Sequence, residues 1–101
     1  MRVMLACAYG MSTNMLVQRM KSAAEGKGYE IWAVSKNDIK TEMGNFDVLL
    51  LGPQIAFELE DMKALVGDKA PVGLIKGADY GMMNGANVVA FAEELYNEFK
   101  K

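Results

Sequence analysis

The chain holds one cysteine, Cys7, and no histidine. Those two counts set the available chemistry. One cysteine cannot close an intramolecular disulfide or form a Cys-x-x-Cys redox pair. Without imidazole there is no Ser-His-Asp or Cys-His nucleophilic machinery, no His-ligated zinc and no phosphohistidine on this chain. A chemically active Cys7 must therefore work without an imidazole of its own. Its neighbours offer another route. Ala8, Tyr9, Gly10, Met11, Ser12 and Thr13 follow it. Gly10 lets a loop turn tightly enough for successive backbone N–H groups to converge, and Ser12 and Thr13 add hydroxyl donors. A helix starting here adds the unpaired N–H groups and partial positive charge of its first turn. Such a cradle holds an anion, phosphate above all, and favours the thiolate over the thiol. A phosphoryl group on Cys7 would then have its equatorial oxygens bound by backbone N–H groups, as charge stabilisation in transfer requires. The plain alternative is an inert cysteine buried at a strand end. The Gly-Met-Ser-Thr run after it tips the reading toward the nucleophile.

The elements that must position Cys7 are legible along the chain. Arg2–Ala6 is a short apolar run and reads as a buried strand. Ser12-Thr13-Asn14 opens a helix with Leu16, Met20 and Ala23/Ala24 on one face and Gln18, Arg19 and Lys21 elsewhere. Gly26 and Gly28 close it, with Lys27 suited to its negative end. Tyr29–Ser35 reads as strand two. Lys36–Asn45 is polar apart from Ile39 and Met43 and reads as a loop with one helical turn. Asp47–Leu51, almost entirely aliphatic, is a central strand covered on both faces, and Gly52-Pro53 breaks it. Gln54–Val66 is a helix with the stripe Ile55, Leu59, Met62 and Val66. Pro71–Ile75 is strand four, and Gly77 to Gly85 a Gly-rich loop. Asn87 is placed to cap a last helix with Val88, Phe91, Ala92, Leu95 and Phe99 on one face and Glu93, Glu94 and Glu98 on the other.

This alternation predicts one α/β domain over residues 1–101: an open four-stranded parallel sheet with helices on both faces and right-handed crossovers. The cysteine loop after strand one is then phosphatase-like in its placement. In such sheets ligands collect at the carboxyl ends of the strands, where Cys7 stands. Gly52-Pro53-Gln54 ends strand three and lies beside the Cys7 loop if the two strands are neighbours. Pro53 and Gln54 then belong to the surroundings of the site, with Gln54 able to hydrogen-bond the loop or the phosphoryl group. A simple strand-to-helix turn with Pro at the helix start explains them equally well. Tyr80, after strand four, reaches toward the site or packs in its loop. Met11, Met82 and Met83, with Tyr9, offer an adaptable apolar rim for protein partners, while Met4, Met20 and Met62 read as core. Arg19 and the acidic face of the last helix read as solvated.

Composition excludes several other classes. Hydrophobic residues make up 51% and charged residues 24%, which is globular and not disordered. The formal net charge of −2 leaves no basic excess to neutralise a run of phosphates, so nucleic acid is not an expected partner. No apolar run approaches the roughly 20 residues needed to cross a bilayer, and the apolar part of the N-terminus is too short for a signal peptide. A cytoplasmic protein is expected. Neither a Walker loop nor an acidic metal cluster is present, so no metal or other cofactor is expected.

Three segments carry a resemblance. Cys7-Ala8-Tyr9-Gly10-Met11-Ser12-Thr13 after an opening strand resembles the phosphorylation loop of enzyme IIB of the phosphoenolpyruvate-dependent sugar phosphotransferase system, lactose/cellobiose (chitobiose) family. Leu51-Gly52-Pro53-Gln54-Ile55 after strand three is a second match, and Tyr80-Gly81 followed by Gly85 a weaker third. They span the chain in the right order, at the length of a free-standing IIB. The resemblance implies a phosphotransferase in which a IIA protein passes a phosphoryl group from its phosphohistidine to Cys7. Cys7 then gives it to a β-linked disaccharide of the cellobiose, chitobiose or lactose class, held by the membrane permease IIC. It also implies residence in the cytoplasm with transient visits to the membrane through IIC. A monomer is expected, since the sequence suggests no second large apolar face. The sugar stays open, because the permease holds it.

Two rivals use the same loop. Low-molecular-weight tyrosine phosphatases and arsenate reductases also place a nucleophilic cysteine between strand one and a helix. The phosphatase pattern is Cys-x5-Arg, with the arginine forking onto the phosphoryl oxygens. Here that position is Thr13, and the nearest arginine is Arg19. A carrier must avoid hydrolysis, so the missing arginine fits a carrier better. Arsenate reduction in this fold uses further cysteines, which are absent. The second rival is a non-catalytic module that binds a free anion in the cradle. Galactitol-, mannitol- and ascorbate-type IIB domains also use a cysteine here, but Gly-Met-Ser-Thr with Leu-Gly-Pro-Gln-Ile favours the lactose/cellobiose group. Mannose-type IIB proteins use histidine and are excluded by composition.

Overall fold

The computed structural model describes residues 1–7 and 10–100, with only the backbone for 10–12. Four strands, β1 (Arg2–Cys7), β2 (Glu30–Ser35), β3 (Val48–Leu51) and β4 (Val72–Leu74), form one parallel sheet in the order β2-β1-β3-β4. The helices are α1 (Gly10–Ala23), α2 (Leu59–Val66), α3 (Gly77–Gly81) and α4 (Gly85–Phe99). The expected α/β architecture is therefore present.

The period-2 geometry of a strand splits the core into two layers. Val3 and Leu5 of β1, with Val48 and Leu50 of β3, face Leu16, Val17, Met20, Val88, Val89 and Ala92 on α1 and α4. Met4 and Ala6, with Leu49 and Leu51, face Ile39, Ile55 and Val66 on the opposite side. Both central strands are thus apolar on both faces, which is why they read as unbroken aliphatic runs. Each large side chain fully buried here stabilises the fold by roughly 1.5–3 kcal/mol. The stripe expected on α1 holds at Leu16, Met20 and Ala24, whereas Ala23 is exposed.

Several local expectations are corrected. The first helix begins at Gly10, two residues before the expected Ser12-Thr13-Asn14 opening, so Ser12 and Thr13 lie inside its first turn. The Lys36–Asn45 segment forms two short 3-10 turns, Lys36–Asp38 and Lys40–Glu42, with Ile39 driven into the core. The helix expected over Gln54–Val66 is regular only from Leu59. Before it, Pro53–Glu58 is a 3-10 segment with a break at Ile55 (φ −117°, ψ 31°), the residue that enters the core. The stretch Gly77–Gly85 is not all loop, because Gly77–Gly81 forms α3, whose buried residue is Tyr80. Burial of that ring offsets the backbone entropy lost at two glycines. The N-cap of α4 is Asn84, not Asn87: its side-chain oxygen accepts the Asn87 N–H at 3.1 Å.

Glu93 is likewise not a merely solvated residue. It accepts hydrogen bonds from Lys27 Nζ at 2.8 Å and Tyr29 Oη at 2.7 Å, joining α4 to the α1–β2 turn. Those two donors hold its carboxyl below the usual range. A second charged tie joins the starts of β1 and β3. Asp47 accepts from the Arg2 backbone N–H at 2.7 Å and from its guanidinium at 3.1 Å. The guanidinium bond holds the Asp47 carboxyl below its ordinary value, against the opposing push of partial burial. A carboxylate depressed in this way adds stability above its unfolded value and loses it as pH falls through the folded one. Asp47→Asn is therefore expected to lower Tm by a few degrees at pH 7. The gap to wild type should close as pH falls below about 4. Thermal melts across that range check it; a constant gap would deny the ionic contribution.

Candidate functional site

The site is set by the order of the strands. The chain leaves β1 toward β2 on one side and returns through β3 on the other. The ends of β1 and β3 therefore flank a topological switch point, the place where open parallel sheets bind ligands. Cys7 is the last residue of β1 and pairs in register with Ser35 at the end of β2. Gly52 follows β3 and donates its N–H to Ala6 O at 2.9 Å. The neighbour relation that Gly52-Pro53-Gln54 requires is therefore met.

Gly52 lies directly against the cysteine. A Cβ at this position would stand 3.4 Å from Cys7 Cβ and 2.6 Å from Gln54 Oε1. Gln54 is exposed and turns its side-chain oxygen back over Gly52, on the Cys7 side of the turn. Pro53 takes the expected place at the start of the helical segment.

By the alternation of β1, Cys7 shares the face of Val3 and Leu5, toward α1 and α4. It is 1% exposed. Thr13, also 1% exposed, donates its hydroxyl to Cys7 Sγ at 2.7 Å. Because Thr13 lies in the first turn of α1, that contact brings the positive end of the helix to the sulfur. The Thr13 hydroxyl, read from the sequence as a donor to a bound anion, points here at the cysteine sulfur. Tyr80, 7% exposed, places its hydroxyl oxygen 3.3 Å from Thr13 Oγ1. Tyr80 is thus packed within α3 with its hydroxyl on Thr13, the residue that contacts the cysteine. Ala8 and Tyr9, and the side chains of Met11 and Ser12, lie outside the described residues.

The place six residues after the cysteine, held by arginine in the phosphatase pattern, is thus a buried threonine on the sulfur. Arg19 is exposed, six residues further along α1. Two exposed apolar residues lie near this edge in sequence, Phe57 (77%), five residues after Gly52, and Met82 (76%), just after α3. Met82 was anticipated as a rim residue, whereas Met83 packs against the core. Phe57 was missed. Its signal was available, because it falls off the Ile55–Leu59–Met62–Val66 stripe. The ion pair between Lys36 and Glu58 was missed as well. Lys36 Nζ lies 2.9 Å from Glu58 Oε2, linking the segments after β2 and β3. That oxygen is buried, and the contact is ionic with no aligned hydrogen bond. Lys36 also sits 5.6 Å from the centre of the Phe57 ring. Among the described residues, no helix is long and apolar enough to cross a membrane.

Comparison with known proteins gives a matching family, two relatives and a solved structure. A family model described as "PTS system, Lactose/Cellobiose specific IIB subunit" matches residues 2–91. The chain is 49% identical over 107 residues to the galactose-specific EIIB component of Lactococcus lactis subsp. cremoris, covering 94% of this chain and 95% of that one. It matches the cellobiose-specific EIIB component of Lactococcus lactis subsp. lactis with the same identity and coverage. Among solved structures, the cellobiose-specific phosphotransferase IIB component of Borrelia burgdorferi superposes with a TM-score of 0.80 at 36% identity, covering 97% of this chain and 93% of that one.

Proposed function

The chain belongs to the lactose/cellobiose-specific IIB family of the phosphotransferase system and is a phosphoryl carrier in sugar uptake; from that premise we propose that Cys7 is the residue that carries the phosphoryl group. The observation that carries the assignment is the contact of Thr13 with Cys7 Sγ at 2.7 Å, which seats the sulfur at the N-terminal end of α1. Helix N-termini favour thiolates and bind phosphate. Residues Ala8, Tyr9, Gly10, Met11, Ser12 and Thr13 make up the cradle, their backbone N–H groups binding the phosphoryl oxygens.

The cycle has two transfers. The Cys7 thiolate attacks the phosphorus of a phosphohistidine on a IIA protein; the S–P bond forms, the N–P bond breaks, and the electron pair stays on the histidine nitrogen. A sugar hydroxyl held by the permease IIC then attacks the same phosphorus. The O–P bond forms, the hydroxyl's proton passes to a base of the permease, and the S–P bond breaks with its electron pair returning to Cys7. With threonine in the arginine position of phosphatases, water attack gains little assistance and the phosphocysteine persists between partners. Gln54, exposed beside Cys7, donates its amide to a phosphoryl oxygen, and Phe57 and Met82 belong to the surface that partners touch. The chain acts as one monomeric carrier domain in the cytoplasm and meets the membrane only through IIC. The substrate is a β-linked disaccharide; two relatives equally similar to this chain are named for galactose and for cellobiose.

The test is intact mass after incubation with phosphoenolpyruvate, the general phosphotransfer proteins and a matching IIA. One added phosphoryl group, mapped to Cys7, is the expected result. No added mass in the presence of phosphorylated, cognate IIA overturns the assignment.

A further inference from the structure

A threonine hydroxyl has one hydrogen to donate. Thr13 directs that hydrogen at Cys7 Sγ, 2.7 Å away. The Tyr80 hydroxyl lies 3.3 Å from the same threonine oxygen, and geometry alone allows either to be the donor. With the Thr13 hydrogen already committed, only the phenol can donate in this pair. The bonds then run in one direction, Tyr80 O–H to Thr13 Oγ1 and Thr13 O–H to sulfur. We infer that Tyr80 is a positioning residue for phosphoryl exchange: it aligns the Thr13 hydroxyl on Cys7 and strengthens the hydrogen bond that supports negative charge on the sulfur.

The direction has a chemical use. A hydroxyl that accepts one hydrogen bond becomes a better donor in the next, and burial raises the effect because no water competes. The charge it supports appears on sulfur twice in the cycle. It is present on the thiolate before transfer from IIA. It reappears when the S–P bond breaks, as the phosphoryl group passes to the sugar oxygen, that oxygen's proton goes to a general base of the sugar-holding protein, and the electron pair returns to sulfur. Stabilising the departing thiolate is therefore the step in which Tyr80 acts through Thr13.

The local fold is organised to hold this ring. Tyr80 is the buried residue of a five-residue helix that begins and ends with glycine. Its N–H donates to Lys76 O at 3.0 Å. The neighbouring Asp79 accepts from Asn84 N–H at 2.8 Å through its backbone oxygen and from Asn87 Nδ2 at 3.1 Å through its carboxylate. The segment is thereby fastened to the start of α4. Phenylalanine would satisfy the packing equally well, but it cannot donate to Thr13.

This inference rests on Cys7 as the carrier, so its test is read first without any partner protein. Ultraviolet absorbance of the thiolate, taken against Cys7→Ser at one neutral pH, gives the thiolate-to-thiol ratio of the sole cysteine. Tyr80→Phe should lower that ratio about threefold, the effect of one supporting hydrogen bond. Thr13→Val should lower it at least as far, and adding Tyr80→Phe to Thr13→Val should change nothing more. Thr13→Ser, which keeps the hydroxyl, should retain the wild-type ratio with Tyr80 present and lose it with Tyr80→Phe. In single-turnover transfer from phosphorylated Cys7, Tyr80→Phe should slow release to sugar by a similar factor while the melting temperature stays within a few degrees. An unchanged ratio in Tyr80→Phe, or effects of Thr13→Val and Tyr80→Phe that multiply, overturns the role of Tyr80. Either result stands whether or not Cys7 is the phosphorylated residue.

Discussion

Cys7→Ser is expected to fold, to melt close to wild type, and to lose phosphoryl relay by at least about 10³-fold. Its two halves rest on different facts. The fold tolerates the change because serine fits the volume of cysteine at the end of a strand whose other side chains pack independently, Val3 and Leu5 on one face and Met4 and Ala6 on the other. A serine oxygen can still accept from Thr13, although its shorter bond to Cβ lengthens the 2.7 Å contact. The cost is about 1 kcal/mol. Chemistry does not tolerate the change. A serine hydroxyl stays protonated near neutral pH, and this chain has no histidine to remove the proton. A helix terminus and one hydroxyl donor support a thiolate but do not generate an alkoxide. Circular dichroism and a thermal melt, set beside transfer from phosphorylated IIA, check both halves. A Cys7→Ser protein that fails to fold would make the cysteine structural. One that still passes phosphoryl to sugar would remove it from the relay.

Gly85→Ala carries the largest expected loss of stability. Gly85 opens α4 where that helix crosses α1. A Cβ on it would lie 2.3 Å from the carbonyl carbon of Arg19, 2.5 Å from its oxygen and 2.6 Å from the Met20 nitrogen. All three are backbone atoms of α1, so no side chain can rotate away. The helices must separate, and the layer formed by Leu16, Val17, Met20, Val88, Val89 and Ala92 opens with them. Overpacking of this kind costs about 3 kcal/mol, or roughly 12–25 °C in melting temperature at this chain length. Two other glycines differ in what surrounds them. At Gly73 the close atoms are Leu95 Cδ1 and the end of the Phe91 ring, which can move, so alanine there should cost less. At Gly81 nothing lies within 4 Å, and alanine should be neutral or slightly stabilising. Thermal melts of the three variants test the order; equal effects at Gly85 and Gly81 would deny the close helix crossing. The damage should reach the site as well, because α3 and its Tyr80 hang from the start of α4, while Thr13 is carried on α1.

Local sequence by itself determined the strand runs, the α1 stripe and the place of the cysteine. Val3–Ala6 and Val48–Leu51 are apolar without interruption, and that pattern belongs to strands covered on both faces. Leu16, Met20 and Ala24 recur at helical spacing, and the alternation of strands and helices leads to a parallel sheet. Composition alone removed histidine and disulfide chemistry. These features depend on neighbours in the chain, so periodicity and residue counts reach them.

Only tertiary structure decided the rest. Gly52 stands against Cys7 because β3 chose β1 as its partner, and no spacing in the sequence states that choice. Asn84 caps α4 in place of Asn87 because the Gly77–Gly81 helix, ordered by burial of Tyr80, fixes where the next helix begins. Ile55 breaks its helix to enter the core. Glu93, which reads as one more solvated acid, meets Lys27 and Tyr29 because α4 passes over the α1–β2 turn. The tie between Thr13 and Tyr80 joins residues 67 positions apart. Each outcome is the sum of contacts between distant segments, where burial of one ring or the approach of two backbones outweighs local preference. The hydroxyls of Thr13 and Tyr80, far apart in the chain, thus meet beside the cysteine once the layers close.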